Sequence, residues 1–207
     1  MYSPDFRLLL ITDRKNSYHP ILKQVEECLK AGVRAVQLRE KDLTTGELIF
    51  LAKKLRNVTS KYKAKFIINE RIDVAMLVEA DYLHLPSSSI DIEDIKCFNK
   101  KIRIGKSVHS IQEAIRAEKS GADYLLFGPI FSTPNKKRFG KPQGLNSLKE
   151  INLSVKIPVY AVGGINSSRA RKCMGVGAEG VAVIRDLMCS ENLKQRVGEY
   201  KKILNKL

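Results

Sequence analysis

Ile157–Asn166, IPVYAVGGIN, and Gly180–Arg185, GVAVIR, decide the fold. Each is a short apolar run that opens at its C-terminal end onto a turn. The first ends in Gly163-Gly164, where missing Cβ atoms let backbone N–H groups approach an anion closely. The second runs straight into a turn and a helix. This is the layout of the last two strands of a (β/α)8 barrel, the place where such barrels hold phosphate. A plain strand, Gly-Gly bend and helix would read the same way in isolation, so the number of repeats along the chain decides between them.

The chain parses into eight repeats. Apolar, β-branched runs predict strands at Leu8–Ile11, Ala35–Leu38, Lys65–Ile68, Tyr82–Leu85, Arg103–Ser107, Tyr124–Phe127, Pro158–Val162 and Gly180–Ile184. Helical periodicity fills the intervals: His19–Lys30, Thr45–Lys61, Ile72–Glu79, Ile92–Phe98, Ile111–Ser120, Leu145–Leu153, Ser167–Gly175 and Glu191–Leu207. Gly32-Val33, Gly121-Ala122 and Gly177-Ala178 close helices just before the next strand, the position at which a helix ends on a left-handed residue. Continuous rather than alternating apolar strands are those of a parallel sheet covered on both faces. The expected fold is therefore α/β, a (β/α)8 TIM barrel forming a single domain over residues 1–207. A doubly wound sheet is the alternative; eight regular units and the pair at strands seven and eight favour closure.

Composition sets bounds on function. The longest apolar run is far short of a membrane span, and Asp5 and Arg7 interrupt any signal-peptide core, so a cytoplasmic protein with no membrane partner is expected. Cys28, Cys97, Cys173 and Cys189 are scattered without CxxC or ligand spacing and read as reduced packing residues. Lys and Arg number 37 against 22 acidic residues, a net charge of +15. The cations are spread over every helix without an aromatic-basic motif, so no nucleic-acid partner is expected; such a surface also attracts phosphorylated metabolites. Self-association as a homodimer is left open.

Chemistry in a barrel belongs at the C-terminal ends of the strands, and polar groups fall there repeatedly: Thr12-Asp13, Gln37 to Lys41, Asn69-Glu70-Arg71, His84 to Ser89, Ser107 to Ser110, and Gly128 to Thr133 with Asn135, Lys136 and Lys137. Gln37, Arg39 and Lys41 alternate, and period-two spacing points all three the same way if the strand persists. Two cations and an amide suit an anion, which a guanidinium grips through paired donors; a salt-bridge layer with Glu40 or Asp42 is the structural alternative. His109, just past strand five and before a helix that Ser110 caps, is the candidate general acid/base. His84, between Leu83 and Leu85, reads as a packed residue, and His19 as a solvent-facing residue opening the first helix.

Five segments in order resemble the thiamin phosphate synthase superfamily: Gln37-Leu38-Arg39-Glu40-Lys41, Phe66 to Asp73, Gly105-Lys106-Ser107-Val108-His109-Ser110, Gly128 to Thr133 with Lys136-Lys137, and Ala161-Val162-Gly163-Gly164-Ile165. The resemblance runs from about Leu8 to Leu187. It implies a (β/α)8 enzyme of thiamin biosynthesis acting on a phosphorylated thiazole, with one of two activities. The TenI-type tautomerase moves a proton to aromatise a carboxythiazole phosphate; the synthase joins hydroxymethylpyrimidine pyrophosphate to thiazole phosphate with Mg²⁺ and releases pyrophosphate.

In the synthases two aspartates hold the metal, and Glu70 and Ser89 stand at those positions here; Asp91 would need a shifted loop to replace the second. Leu85 to Ser89 and Gly105 to Ser110 look like the tautomerase segments, so the tautomerase is the expected activity, with no cofactor and no metal. The synthase, with Mg²⁺ and Glu70 as a ligand, is the alternative, supported by Gln37, Arg39, Lys41, Thr133 and Lys136; a regulatory relative that only binds thiazole phosphate is the third reading. The resemblance implies His109 as the catalytic residue and Gln37, Arg39, Lys41, Asn69, Ser107, Ser132, Thr133 and Lys136 on the substrate. Gly163, Gly164, Ile184 and Arg185 would hold phosphate, Arg185 replacing a residue that is usually small.

Overall fold

The computed structural model describes residues 4–133 and 141–204. Eight parallel strands, β1 (Leu8–Ile11), β2 (Ala35–Leu38), β3 (Lys65–Asn69), β4 (Tyr82–Leu85), β5 (Arg103–Val108), β6 (Tyr124–Phe127), β7 (Val159–Val162) and β8 (Gly180–Val183), pair in chain order. They close into a barrel through β8 against β1, with Leu9 opposite Ala182. The helices are α1 (Ile21–Ala31), α2 (Thr45–Lys61), α3 (Ile72–Leu77), α4 (Ile92–Phe98), α5 (Ile111–Lys119), α6 (Gly144–Ser154), α7 (Ser167–Gly175), α8 (Arg185–Met188) and α9 (Leu193–Leu204).

Alternate residues of each strand face opposite ways, which separates two cores. Leu10, Val36, Leu38, Phe66, Ile68, Leu83, Ile104, Leu125 and Val181 pack outward against the helices. Leu9, Ile11, Ala35, Ile67, Tyr82, Tyr124, Leu126, Tyr160 and Ala182 fill the barrel together with Phe6 from below. That filling is aromatic: Phe6 meets Tyr82 edge-on at 5.9 Å between ring centroids, and Tyr124 meets Tyr82 and Tyr160 at 5.7 and 5.6 Å. Edge-to-face rings are a favoured aromatic packing. Tyr160 donates to the Phe6 carbonyl at 2.6 Å, so its buried hydroxyl is satisfied. Space for Tyr124 comes from Gly105 on the neighbouring strand, where a Cβ would overlap the tyrosine ring.

The element order and all eight strands match the sequence reading, and the ends differ for local reasons. Pro158, without an N–H, precedes β7 rather than opening it. Pro20 occupies the N-cap of α1, so His19 lies outside the helix. It is half-buried rather than solvent-facing: its N–H donates to Gln24 Oε1 at 3.2 Å, and its ring stands edge-on to Tyr18. Gly32, Gly121 and Gly177 have φ of 116°, 92° and 95°, the left-handed turns expected after the helices. Thr44 and Glu47 form a reciprocal capping box at the start of α2. Cys28 and Cys173 are packing residues, with burial pushing both thiols up to about 12. Cys97 and Cys189 are exposed, contrary to the expectation for all four. Among the described residues no helix is long and apolar enough to cross a membrane.

Candidate active site

Above the aromatic layer, the next inward positions of β2 to β5 are polar. Two residues beyond inward-facing Ala35, Ile67, Tyr82 and Gly105 come Gln37, Asn69, His84 and Ser107, so period two carries one polar group from each of β2 to β5 to the mouth. Gln37 is 1 % and Asn69 9 % exposed. Among the described residues the Gln37 amide nitrogen has no hydrogen-bond partner although it is buried. A donor held out of water without an acceptor is costly in the free protein and available to a ligand.

Arg39 follows the end of β2, its N–H bonded to the Thr12 hydroxyl at 2.9 Å. The strand stops at Leu38, so the alternation expected to carry Lys41 does not persist; Lys41 lies in a turn, exposed, with its Nζ 3.6 Å from the Glu70 carboxylate. Cations from the β1 loop reach Glu40 and Asp42. Arg14 and Lys15 each meet Asp42 at 2.7 Å, and the Arg14 N–H donates to buried Glu40, whose pKa burial raises. Glu70 itself sits at φ 68°, unusual for a residue with a Cβ, directly after β3, and its N–H donates to the His84 carbonyl. Ser89 donates its hydroxyl to the Ile90 carbonyl at 3.4 Å, and Asp91 stands exposed at the start of α4.

His109 is exposed at the mouth beyond β5. Its Nδ1 lies 2.6 Å from the Gly128 carbonyl oxygen. A carbonyl only accepts, so Nδ1 carries the proton and Nε2 of the neutral ring is left bare. Its main-chain N–H donates to the Glu113 carboxylate at 2.7 Å, and Ser110 caps α5 as expected. Gly128 packs directly on the Val162 carbonyl, one residue before the diglycine turn, so the imidazole is anchored next to that turn.

Gly163 and Gly164 have φ of 94° and 66°. A Cβ on Gly163 would come within 2.5 Å of the Pro129 Cβ, and one on Gly164 within 2.8 Å of the Ser132 carbonyl. The pair therefore serves the stacking of the β6 and β7 loops as well as any ligand. Arg169 donates to the Gly164 carbonyl at 2.7 Å and Phe131 N–H to that of Gly163, which ties the turn in place. Ile184 caps α8, and its carbonyl accepts from Leu187 and Met188, leaving the first N–H groups of that turn without intrahelical partners. The Arg185 side chain is exposed rather than crowding the turn. Ser132 and Thr133 lie at the end of the described β6 loop; Lys136 falls outside the described residues.

One group at the mouth was undervalued by sequence. His84 is packed, as expected, at 2 % exposure, yet its Nε2 lies 2.8 Å from the Ser107 hydroxyl and its Nδ1 3.3 Å from that of Tyr124. Burial, with the nearby Arg39 and Lys106 charges, pushes its pKa down to about 3. The inward register of β4 was the available signal, since His84 shares a face with Tyr82.

The family model described as thiamine monophosphate synthase, TMP-TENI, matches residues 8–187. A putative thiamine-phosphate synthase 2 of Aquifex aeolicus is 48 % identical over 178 residues, covering 86 % of this chain and 95 % of the relative. The thiamine-phosphate synthase of Pyrococcus furiosus is 40 % identical over 201 residues, covering 97 % and 96 %. A solved thiamine phosphate pyrophosphorylase from Pyrococcus furiosus superposes with a TM-score of 0.88, covering 97 % of this chain and 96 % of that one.

Proposed function

The chain belongs to the thiamine monophosphate synthase (TMP-TENI) family, and from that premise we propose that it is a cytoplasmic thiamine-phosphate synthase, joining hydroxymethylpyrimidine pyrophosphate to thiazole phosphate. The observation that carries the reading is near-complete coverage by a relative bearing that name at 40 % identity. The tautomerase expected from Leu85 to Ser89 and Gly105 to Ser110 finds no support there: the relatives are named as the synthase.

In this reading the bond between the pyrimidine's methylene carbon and a diphosphate oxygen breaks, diphosphate leaves with the electron pair, and the thiazole ring nitrogen gives its lone pair to the same carbon to form the new C–N bond. Growing negative charge on that oxygen calls for donors and cations placed in advance. Arg39 and Lys41 stand on the β2 side of the mouth, with Ser107 on β5, and Lys136 joins them by resemblance. Gln37 and Asn69 offer amides to the pyrimidine. The turn at Gly163 and Gly164 and the start of α8 at Ile184 and Arg185 take the thiazole's phosphate, with Ser132 and Thr133 beside it.

The family implies Mg²⁺. Among the described residues there is no group of three or more acidic, His or Cys side chains able to hold a metal. Glu70 brings a single carboxylate to the mouth and Ser89 brings no charge. One carboxylate fits Mg²⁺ that takes its other ligands from water and diphosphate, the usual manner for this ion. When bound there it would neutralise the leaving group.

The test is one assay of the purified protein with both substrate sets, with and without Mg²⁺, on wild type and His109→Asn. Coupling needs no proton carried by His109, so the variant keeps most coupling activity. A protein that only aromatises the carboxythiazole phosphate, and loses this with His109→Asn, overturns the reading. A protein that binds thiazole phosphate in a thermal-shift assay and turns over nothing overturns it too.

A further inference from the structure

We propose that Tyr124 and His84 are positioning residues that hold the Ser107 hydroxyl as a hydrogen-bond donor into the barrel mouth, toward a substrate oxyanion. The three groups come from adjacent strands β6, β4 and β5, and the argument begins at the deepest. The Tyr124 side chain is fully buried among the rings of Phe6, Tyr82 and Tyr160. Its one hydrogen-bond partner among the described residues is His84 Nδ1 at 3.3 Å. Burial pushes the phenol pKa up, so the proton stays on and must be donated.

The acceptor is then a bare Nδ1. A ring nitrogen that accepts carries no proton, so in this chain of bonds His84 is the neutral imidazole. A neutral imidazole with a bare Nδ1 carries its proton on Nε2. Nε2–H donates to Ser107 Oγ at 2.8 Å, and the serine's own proton is turned away from the ring. The opposite chain, with Ser107 donating to Nε2 and Nδ1–H to the tyrosine oxygen, would strand the Tyr124 proton in an aromatic layer. Gly105 allows the arrangement, since a Cβ there would overlap the Tyr124 hydroxyl and ring.

The chemical class of the acceptor follows from its surroundings. Ser107 is half-buried at the mouth, and Arg39 is close enough to act on the neighbouring imidazole. A hydroxyl donor beside a guanidinium suits an oxyanion. That this oxyanion is diphosphate rests on the synthase reading; the direction of the chain does not.

The experiment labels the histidines with ¹⁵N and reads the His84 tautomer in wild-type protein without substrate. Nε2 protonated and Nδ1 bare is the expected result; Nδ1 protonated overturns the proposal without any variant having to fold. Tyr124→Phe removes one oxygen and is expected to populate the other tautomer. It is also expected to weaken binding of inorganic pyrophosphate about tenfold, the size of one hydrogen bond to a charged group. Ser107→Ala is expected to weaken it by at least as much, and Tyr124→Phe to add nothing in the Ser107→Ala background. Additive losses, or a Tyr124→Phe protein that binds pyrophosphate as wild type does, overturn the positioning role. Failure of the wild type to bind pyrophosphate or phosphate overturns the oxyanion role. Coupling turnover is measured separately, so loss of the synthase reading is distinguished from loss of the chain Tyr124–His84–Ser107.

Discussion

Acid should destabilise this barrel through one side chain, and the size of the effect follows from where His84 sits. Its pKa is about 3 in the folded protein, against about 6.5 for an unfolded histidine. Between these values the unfolded chain binds a proton that the folded chain refuses. Unfolding then takes up protons, so stability is intact above the unfolded pKa and is lost as pH falls below it. The linkage gives a loss of about 1.3 kcal/mol at about pH 5.5 and about 2.5 kcal/mol at about pH 4.5, relative to neutral pH. His84→Gln retains an amide donor and cannot titrate.

Urea unfolding of the two proteins across this range isolates the contribution, because carboxylates common to both cancel in the difference. Wild type is expected to lose about 2.5 kcal/mol more than the variant by about pH 4.5. Parallel pH profiles would refute the reasoning, as would an imidazole that titrates near its ordinary value in the folded protein when followed by NMR.

Three further outcomes follow from local geometry. Gly163→Ala places a Cβ at φ 94° and 2.5 Å from Pro129, and is expected to cost about 2–4 kcal/mol in urea unfolding; a neutral result would contradict the stacked loops. Glu70→Gln removes the one carboxylate placed for Mg²⁺ and is expected to raise the half-saturating Mg²⁺ concentration for coupling at least about tenfold, whereas an unshifted Mg²⁺ titration would remove Glu70 from the metal's ligands. Thr44→Ala breaks the capping box of α2 and is expected to lower stability by about 1 kcal/mol without changing kcat, measured by urea unfolding and by coupling rate.

Strands were legible because their signal is local. Tyr124–Phe127 is apolar throughout and Tyr82–Leu85 is apolar but for His84, and both fall where periodicity put them. Gln37 and Asn69 were legible as mouth residues because period two continues inward register to the strand ends. For Lys41 the condition of that rule was not met, since no local signal said that β2 would stop at Leu38. The choice between tautomerase and synthase was not legible in Glu70 and Ser89, because replacing a ligand changes affinity for an ion without saying which bonds the site breaks.

Periodicity and turn chemistry, properties of neighbours along the chain, determined eight βα units, their parallel order and the rim from which function would come. Which cation meets which carboxylate, why Gly105 must lack a side chain, and how Tyr124 and Ser107 meet across His84 were decided only by closure of the barrel. The two bonds at His84 join residues 40 and 23 positions apart. Their energies depend on burial and on distances that exist only once the strands have come together.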